Sequence, residues 1–153
     1  AHAGEPLDAA SGDPVAMADA VWAFDNGIEG IAMAGPADTL YTASGLQSFD
    51  EGFLGVVDTT TDTPGYISLT YADHQFVHVD PADPDRVFVA TSDAFVEPKP
   101  MFVRLYDAGV LVDSIQVVDE HLYDADGMAY DPDRGLLYVL VEDRLLVVEG
   151  LGG

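Results

Sequence analysis

Short apolar runs, each closed by a proline-bearing or acidic turn, recur along the chain from residue 30 onward. One line reads Gly30-Ile31-Ala32-Met33-Ala34-Gly35-Pro36, then Thr39-Leu40-Tyr41-Thr42-Ala43. A second reads Gln75-Phe76-Val77-His78-Val79-Asp80-Pro81, then Arg86-Val87-Phe88-Val89-Ala90. A third reads Asp126-Gly127-Met128-Ala129-Tyr130-Asp131-Pro132, then Leu136-Leu137-Tyr138-Val139-Leu140. Each line predicts a strand, a turn and a second strand rich in β-branched and aromatic residues. Proline suits the turn because its φ is fixed, and it is excluded from a central strand because it lacks an N–H. Third strands are predicted at residues 53–58, 101–107 and 144–149, all ending on an acid. Fourth strands are predicted at residues 66–69 and 110–118. Helical periodicity is weak, and only the Ala-rich stretch Pro14–Phe24 suggests a helical turn.

Tyr41 and Phe88 are 47 residues apart, and Phe88 and Tyr138 are 50 apart. Four short strands in a period of this size is the pattern of β-propeller blades. The expected fold is therefore all-β, with about three four-stranded antiparallel units in one domain over residues 15–153. Residues 1–14, rich in Ala, Gly, Pro and Asp, are expected to form a flexible lead. The third unit has no fourth strand after Glu149. Ala20-Val21-Trp22-Ala23-Phe24-Asp25 stands before the first line as residues 114–118 stand before the third. Val21, Trp22 and Phe24 are thus candidates for a strand that completes the last blade, in cis or in trans. Three blades do not close a ring, since propellers typically have about four to eight. The chain is then a piece of a longer propeller, one of several copies building a ring, or a donor of its strand to the next copy. A head-to-tail donation that fails to close grows a filament. A stand-alone sandwich or half-propeller wedge is the other arrangement these strands allow.

Charge changes this picture. The chain carries 28 acids against 5 bases, a formal net charge of −23, and Lys99 is its one lysine. The acids lie between apolar runs, so they read as a coat on a folded body and not as a disordered tail. Such a coat repels itself in dilute buffer. At about 1 M salt the screening length falls to ~3 Å and the repulsion is largely removed, which fits a halophilic source. Nucleic acid and anionic lipid require basic patches, and Arg86, Arg104, Arg134 and Arg144 are scattered singly. Cations and basic surfaces are the natural partners. The chain has no cysteine, which excludes disulfides and thiolate chemistry. No apolar run is long enough to span a membrane as a helix. The start Ala1-His2-Ala3-Gly4 looks like a mature end left by signal removal, from which a secreted or cell-surface protein is expected; a chain trimmed elsewhere would start the same way.

Leu40-Tyr41-Thr42-Ala43-Ser44, followed by Gly55-Val56-Val57-Asp58-Thr59-Thr60-Thr61-Asp62-Thr63, resembles the YVTN-type β-propeller repeat of surface-layer and quinoprotein-like proteins. That repeat pairs a Tyr-Val-Thr-Asn strand with a Val-Ile-Asp-Thr-Ala-Thr strand. Here Thr42-Ala43 replaces Val-Thr, and Ser44 replaces Asn. The Asp80-Pro81 and Asp131-Pro132 units are similar to the Ser-Pro-Asp-Gly turns of the same class. The resemblance covers roughly residues 20–150. It implies the fold and says little about activity, because propellers host hydrolases, lectins and scaffolds alike.

Alignment on Pro36, Pro81 and Pro132 brings Glu29, Asp73, His74, Asp124 and Asp126 to neighbouring ranks before the first strand of each unit. In a propeller these ranks meet at one mouth of the central channel, where oxygen-rich clusters suit Ca²⁺. Asp124-Ala125-Asp126-Gly127 also resembles part of a Ca²⁺ loop, although Met128 and Tyr130 stand where further ligands belong. Solvated loop acids, with an Asp-Gly turn before a strand, are the competing description. His78 lies four residues from His74, a spacing that places both on one face of a strand about 13 Å apart, too far to share a metal. No nucleophile elbow, phosphate loop or haem motif is present.

Two function classes follow. One is an extracellular structural or binding module whose copies assemble as an oligomer or filament through the borrowed strand. The other is a Ca²⁺-dependent six-bladed propeller hydrolase of lactonase or esterase type, formed by two copies. The strand deficit is explicit in the sequence and a catalytic set is not, which favours the first.

Overall fold

The computed structural model describes residues 30–34, 38–44, 52–58, 60, 63–70, 72–93, 100–118, 125–141 and 143–152. Every regular element among them is a β-strand. In chain order these are β1 Gly30–Ala34, β2 Thr39–Ser44, β3 Gly52–Asp58, β4 Thr63–Thr70, β5 Ala72–Asp80, β6 Asp83–Asp93, β7 Met101–Asp107, β8 Val110–Val118, β9 Ala125–Asp131, β10 Leu136–Val141 and β11 Arg144–Glu149. They form three antiparallel meanders whose spatial order follows the sequence. The first sheet is β1-β2-β3-β4, the second β5-β6-β7-β8, and the third β9-β10-β11. No helix among the described residues is long and apolar enough to cross a membrane. The lead 1–14, the stretch Pro14–Phe24 and the candidate strand with Val21, Trp22 and Phe24 lie outside the described residues.

The turns form where the repeated Asp-Pro pairs stand, because each aspartate folds back on its own backbone. The Asp80 carboxylate accepts from the Ala82 N–H at 2.8 Å. Asp131 accepts from the Asp133 and Arg134 N–H groups at 3.1 and 3.2 Å. These are Asx turns, which compete well with extended backbone. The β7–β8 hairpin turns on Ala108 and Gly109, both at positive φ (47° and 79°). That geometry matches the twist of the flanking strands. Pro64 falls on β4, the last strand of its sheet, the kind of position to which proline is confined within sheets.

The sheets pack face to face in series. Tyr41, Ala43 and Leu54 of the first sheet bury Val77, Val79, Val87, Val89 and Tyr106 of the second. Phe88, Ala90, Met101, Val103 and Leu105, from the opposite face of the second sheet, bury Leu137, Val139, Val141 and Val148 of the third. Strand β6 explains how: Val87 and Val89 point one way, Phe88 and Ala90 the other. A strand covered on both faces reads as a continuous apolar run, not an alternating one. The leading strands gather together, with β5 beside both β1 and β9.

Two register slips change details expected from spacing. Gln75 is an extra residue in β5, since His74 lies opposite Thr91 and Phe76 opposite Ala90. His74 and His78 therefore occupy register positions of opposite parity, and their four-residue spacing does not put them on one face. Asp126 is an extra residue in β9, between Ala125 opposite Val141 and Gly127 opposite Leu140. Asp126-Gly127 is thus a bulge inside a strand, and not a turn before one.

Candidate functional site

The third sheet presents the features that the other two do not leave open. Residues 144–149, Arg-Leu-Leu-Val-Val-Glu, form β11 because branched aliphatic side chains suit a pleated surface. One edge of β11 pairs with β10 along its whole length. Among the described residues no strand pairs with its other edge, where the first and second sheets have a fourth strand. A groove of about 290 Å³ runs between the last strand of the second sheet and β11, lined by residues 115–117 and 146–149. Its walls mix aliphatic side chains with Gln116 and Glu149. An unpaired edge of this kind is a template for another strand. Chemically it offers backbone donors and acceptors beside a slot of mixed aliphatic and polar lining, which suits strand addition.

The outward face of the same sheet is also apolar. Leu140, Leu145 and Val147 are 41%, 64% and 51% exposed. The alternation of β10 and β11 sends Leu137, Val139 and Val148 into the core and these three away from it.

Arg86, Asp80 and Asp113, near the sheet ends, have structural partners. Arg86 lies 3.5 Å from the buried carboxylate of Asp80. Its guanidinium also sits 5.9 Å from the Phe88 ring centre and 5.8 Å from that of Tyr130. It thereby ties the second sheet to the third. It borders an open recess of about 570 Å³ with Asp107, Asp113 and Gly152. Asp113 accepts from the Gly152 N–H at 2.8 Å, and Leu151 is buried, so residues 151–152 strap the third sheet onto the second. Gly152 has φ +79°, and a Cβ there would stand 2.5 Å from Leu105 Cδ2 and 2.9 Å from Arg86 Nη2. Only glycine meets both conditions. Tyr41 donates to the Pro84 carbonyl at 3.5 Å. Burial, with a smaller push from the Asp85 charge, raises its pKa above the usual 10.0.

His78 is the histidine with a resolved role. Its Nε2 accepts a hydrogen bond from the Tyr130 N–H at 3.3 Å, joining β5 to β9. Burial pushes its pKa below the usual 6.5, against a smaller upward pull from Asp80. Accepting through Nε2 requires the neutral ring.

Of the five expected cation ligands, Asp73 and His74 fall near the start of β5 and Asp126 near the start of β9, the neighbouring leading strands. Asp126 is exposed. Glu29 and Asp124 lie outside the described residues, as do the side chains of Asp73 and His74. Among the described residues no group of three His, Asp or Glu side chains is placed to hold a metal ion. The count of three strands in this unit agrees with the three described strands of the third sheet. Sequence reasoning missed the bare outward face and the His78–Tyr130 bond, for which no local signal exists. Comparison of the chain with protein-family models and with curated proteins finds no match.

Proposed function

We propose that the three meanders are successive blades of β-propeller type, and that the protein is an extracellular structural or binding module that self-assembles through strand exchange. The observation that carries this is made on the described residues: no described strand pairs the outer edge of β11, which lies beside a groove of mixed aliphatic and polar lining, and its sheet holds three described strands where the two before it hold four. Supporting it, each sheet is a sequential meander, the leading strands adjoin, and the faces stack in series, as blades around an axis do. The donated strand is Ala20–Asp25, whose Val21, Trp22 and Phe24 supply apolar anchors to an edge rich in aliphatic residues. Donation from one copy to the next gives an oligomer or filament. With a net charge of −23, copies approach each other only where salt screens them.

The test is particle size in about 2 M KCl, where screening is strong. The intact chain is compared with a chain lacking residues 1–25 and with the full-length double variant Trp22→Asp, Phe24→Asp. Assembly by the intact chain and its loss in both variants supports strand exchange. Oligomers undiminished in both variants rule it out.

A further inference from the structure

One end of the second sheet carries a charge pair that the ladder sets up and the fold does not close. Arg86 of β6 stands directly opposite Asp107 of β7, and Leu105 opposite Asp113 of β8. Period-two alternation puts all four on one face, the one that packs on the third sheet, where Leu105 is buried. Residues directly opposite in an antiparallel pair have Cβ atoms about 4.5–5.5 Å apart, close enough for an ion pair. Arg86 and Asp107 form none. The guanidinium instead reaches Asp80 at 3.5 Å and lies against the Phe88 and Tyr130 rings. Asp107 is exposed, and among the described residues its carboxylate makes no ion pair or hydrogen bond.

The open recess of about 570 Å³ is lined by both of these charges, with Leu105, Val112, Asp113 and Gly152. Its volume falls within the range of about 300–1,000 Å³ for small-molecule pockets. A guanidinium has five N–H donors, and the single contact of Arg86 with Asp80 is long for a hydrogen bond. Its remaining donors border the recess, because its side chain is three-quarters covered elsewhere. Gly152 keeps one of them clear, since a Cβ there would stand 2.9 Å from Arg86 Nη2. Asp113 is held by backbone: its two carboxylate oxygens accept from the Ser114 and Gly152 N–H groups, each at 2.8 Å. Asp107 is therefore the carboxylate left for a ligand.

These charges select what fits. A simple anion drawn to Arg86 meets two carboxylates, and a simple cation drawn to Asp107 meets the guanidinium. A molecule with both charges on neighbouring atoms satisfies each. We propose that the recess binds a free α-amino acid, its carboxylate on the Arg86 guanidinium, its ammonium on the Asp107 carboxylate and its side chain against Val112. A carboxylate on a guanidinium makes charge-assisted hydrogen bonds that a lone point charge does not. The recess lies within one chain, so this binding is independent of assembly and of strand exchange.

The full chain, isotope-labelled at nitrogen and kept at the lowest KCl concentration that maintains its fold, is titrated with L-valine while its amide spectrum is recorded. Saturable shifts are expected at the amides of Asp107, Asp113 and Gly152. Isovalerate and isobutylamine keep the side chain and one charge each. Both should bind at least roughly tenfold more weakly, since each forfeits hydrogen bonds to a charged group. Asp107→Asn, at an exposed site, should weaken L-valine by a similar factor and should not weaken isovalerate. Asp143→Asn removes the same charge at another exposed site and should change binding by less than about twofold. No saturable shift up to the solubility limit of L-valine overturns the site. Isovalerate bound as tightly as L-valine, or equal effects of Asp107→Asn and Asp143→Asn, overturns the pairing of the ammonium with Asp107.

Discussion

Phe88 and Tyr138 occupy the same rank in consecutive sheets, and the structure assigns them very different energies. Phe88 is fully buried between the second and third sheets. Its ring lies 4.6 Å from that of Tyr130, tilted by 38°, with the Arg86 guanidinium 5.9 Å from its centre. Phe88→Ala removes a ring that no neighbour can replace, at a cost of about 3–5 kcal/mol for the lost transfer energy and the cavity. The ring pair alone accounts for about 0.5–1.5 kcal/mol of this. Domain stabilities are about 5–15 kcal/mol, so the variant loses a large share of its fold. Tyr138 packs on one side only, because the surface it faces is open. Tyr138→Ala removes a half-buried side chain and costs about 1 kcal/mol. The assay is urea unfolding of both variants and the parent, followed by far-ultraviolet circular dichroism in about 2 M KCl. Protein is kept dilute so that association contributes nothing. The expected difference between the two variants is ~2–4 kcal/mol. Equal losses would refute the serial packing, since they would mean that the third sheet is covered as the second one is.

Stability should also respond to pH through His78. Its folded-state pKa lies below 6.5 because burial disfavours the charged ring, so on acidification the unfolded chain takes up the proton first. Its contribution is intact above about 6.5 and falls as pH drops from there toward the folded-state value; His78→Gln should flatten that part of the profile, and an unchanged slope would show that the Tyr130 bond does not couple to titration. Thr91 is fully buried and its hydroxyl has no hydrogen-bond partner, so Thr91→Val should raise stability by about 1 kcal/mol, whereas a lowered urea midpoint would reveal a partner for the hydroxyl. Raising KCl from about 0.1 M to 2 M should raise the thermal midpoint steeply as the self-repulsion of 28 acids is screened. A midpoint that is flat or falling with salt would show that the acidic coat does not limit stability.

The strands at residues 101–107, 110–118 and 144–149 were legible in sequence to the residue, because apolar runs there are bounded by acids and glycines that also bound the elements. Strand β6 was legible only in its middle. The apolar run covers residues 87–90, but the element extends over Asp83–Asp93. Its polar ends are held by the ladder itself, with Asp83 opposite Asp80 and Ser92 opposite Met101. The bulges at Gln75 and Asp126 were not legible, because each depends on the register of a partner strand. That no described strand pairs the outer edge of β11 agrees with the three strands counted for this unit in the sequence. The bare face of its sheet was not legible. Leu136-Leu137-Tyr138-Val139-Leu140-Val141 reads as a strand covered on both sides, and the structure covers one. The cation expectation rested on ranks alone. Its residues fall at the starts of neighbouring strands, but Glu29 and Asp124 are beyond the described residues.

The central claim is that this unit is completed by its neighbours. Light scattering with electron microscopy on one sample, at about 2 M KCl so that charge repulsion is screened, tests it most directly. The account predicts rings or fibres with a mass that is a multiple of the 16.3 kDa chain. A uniform 16.3 kDa particle across the accessible concentration range would contradict it.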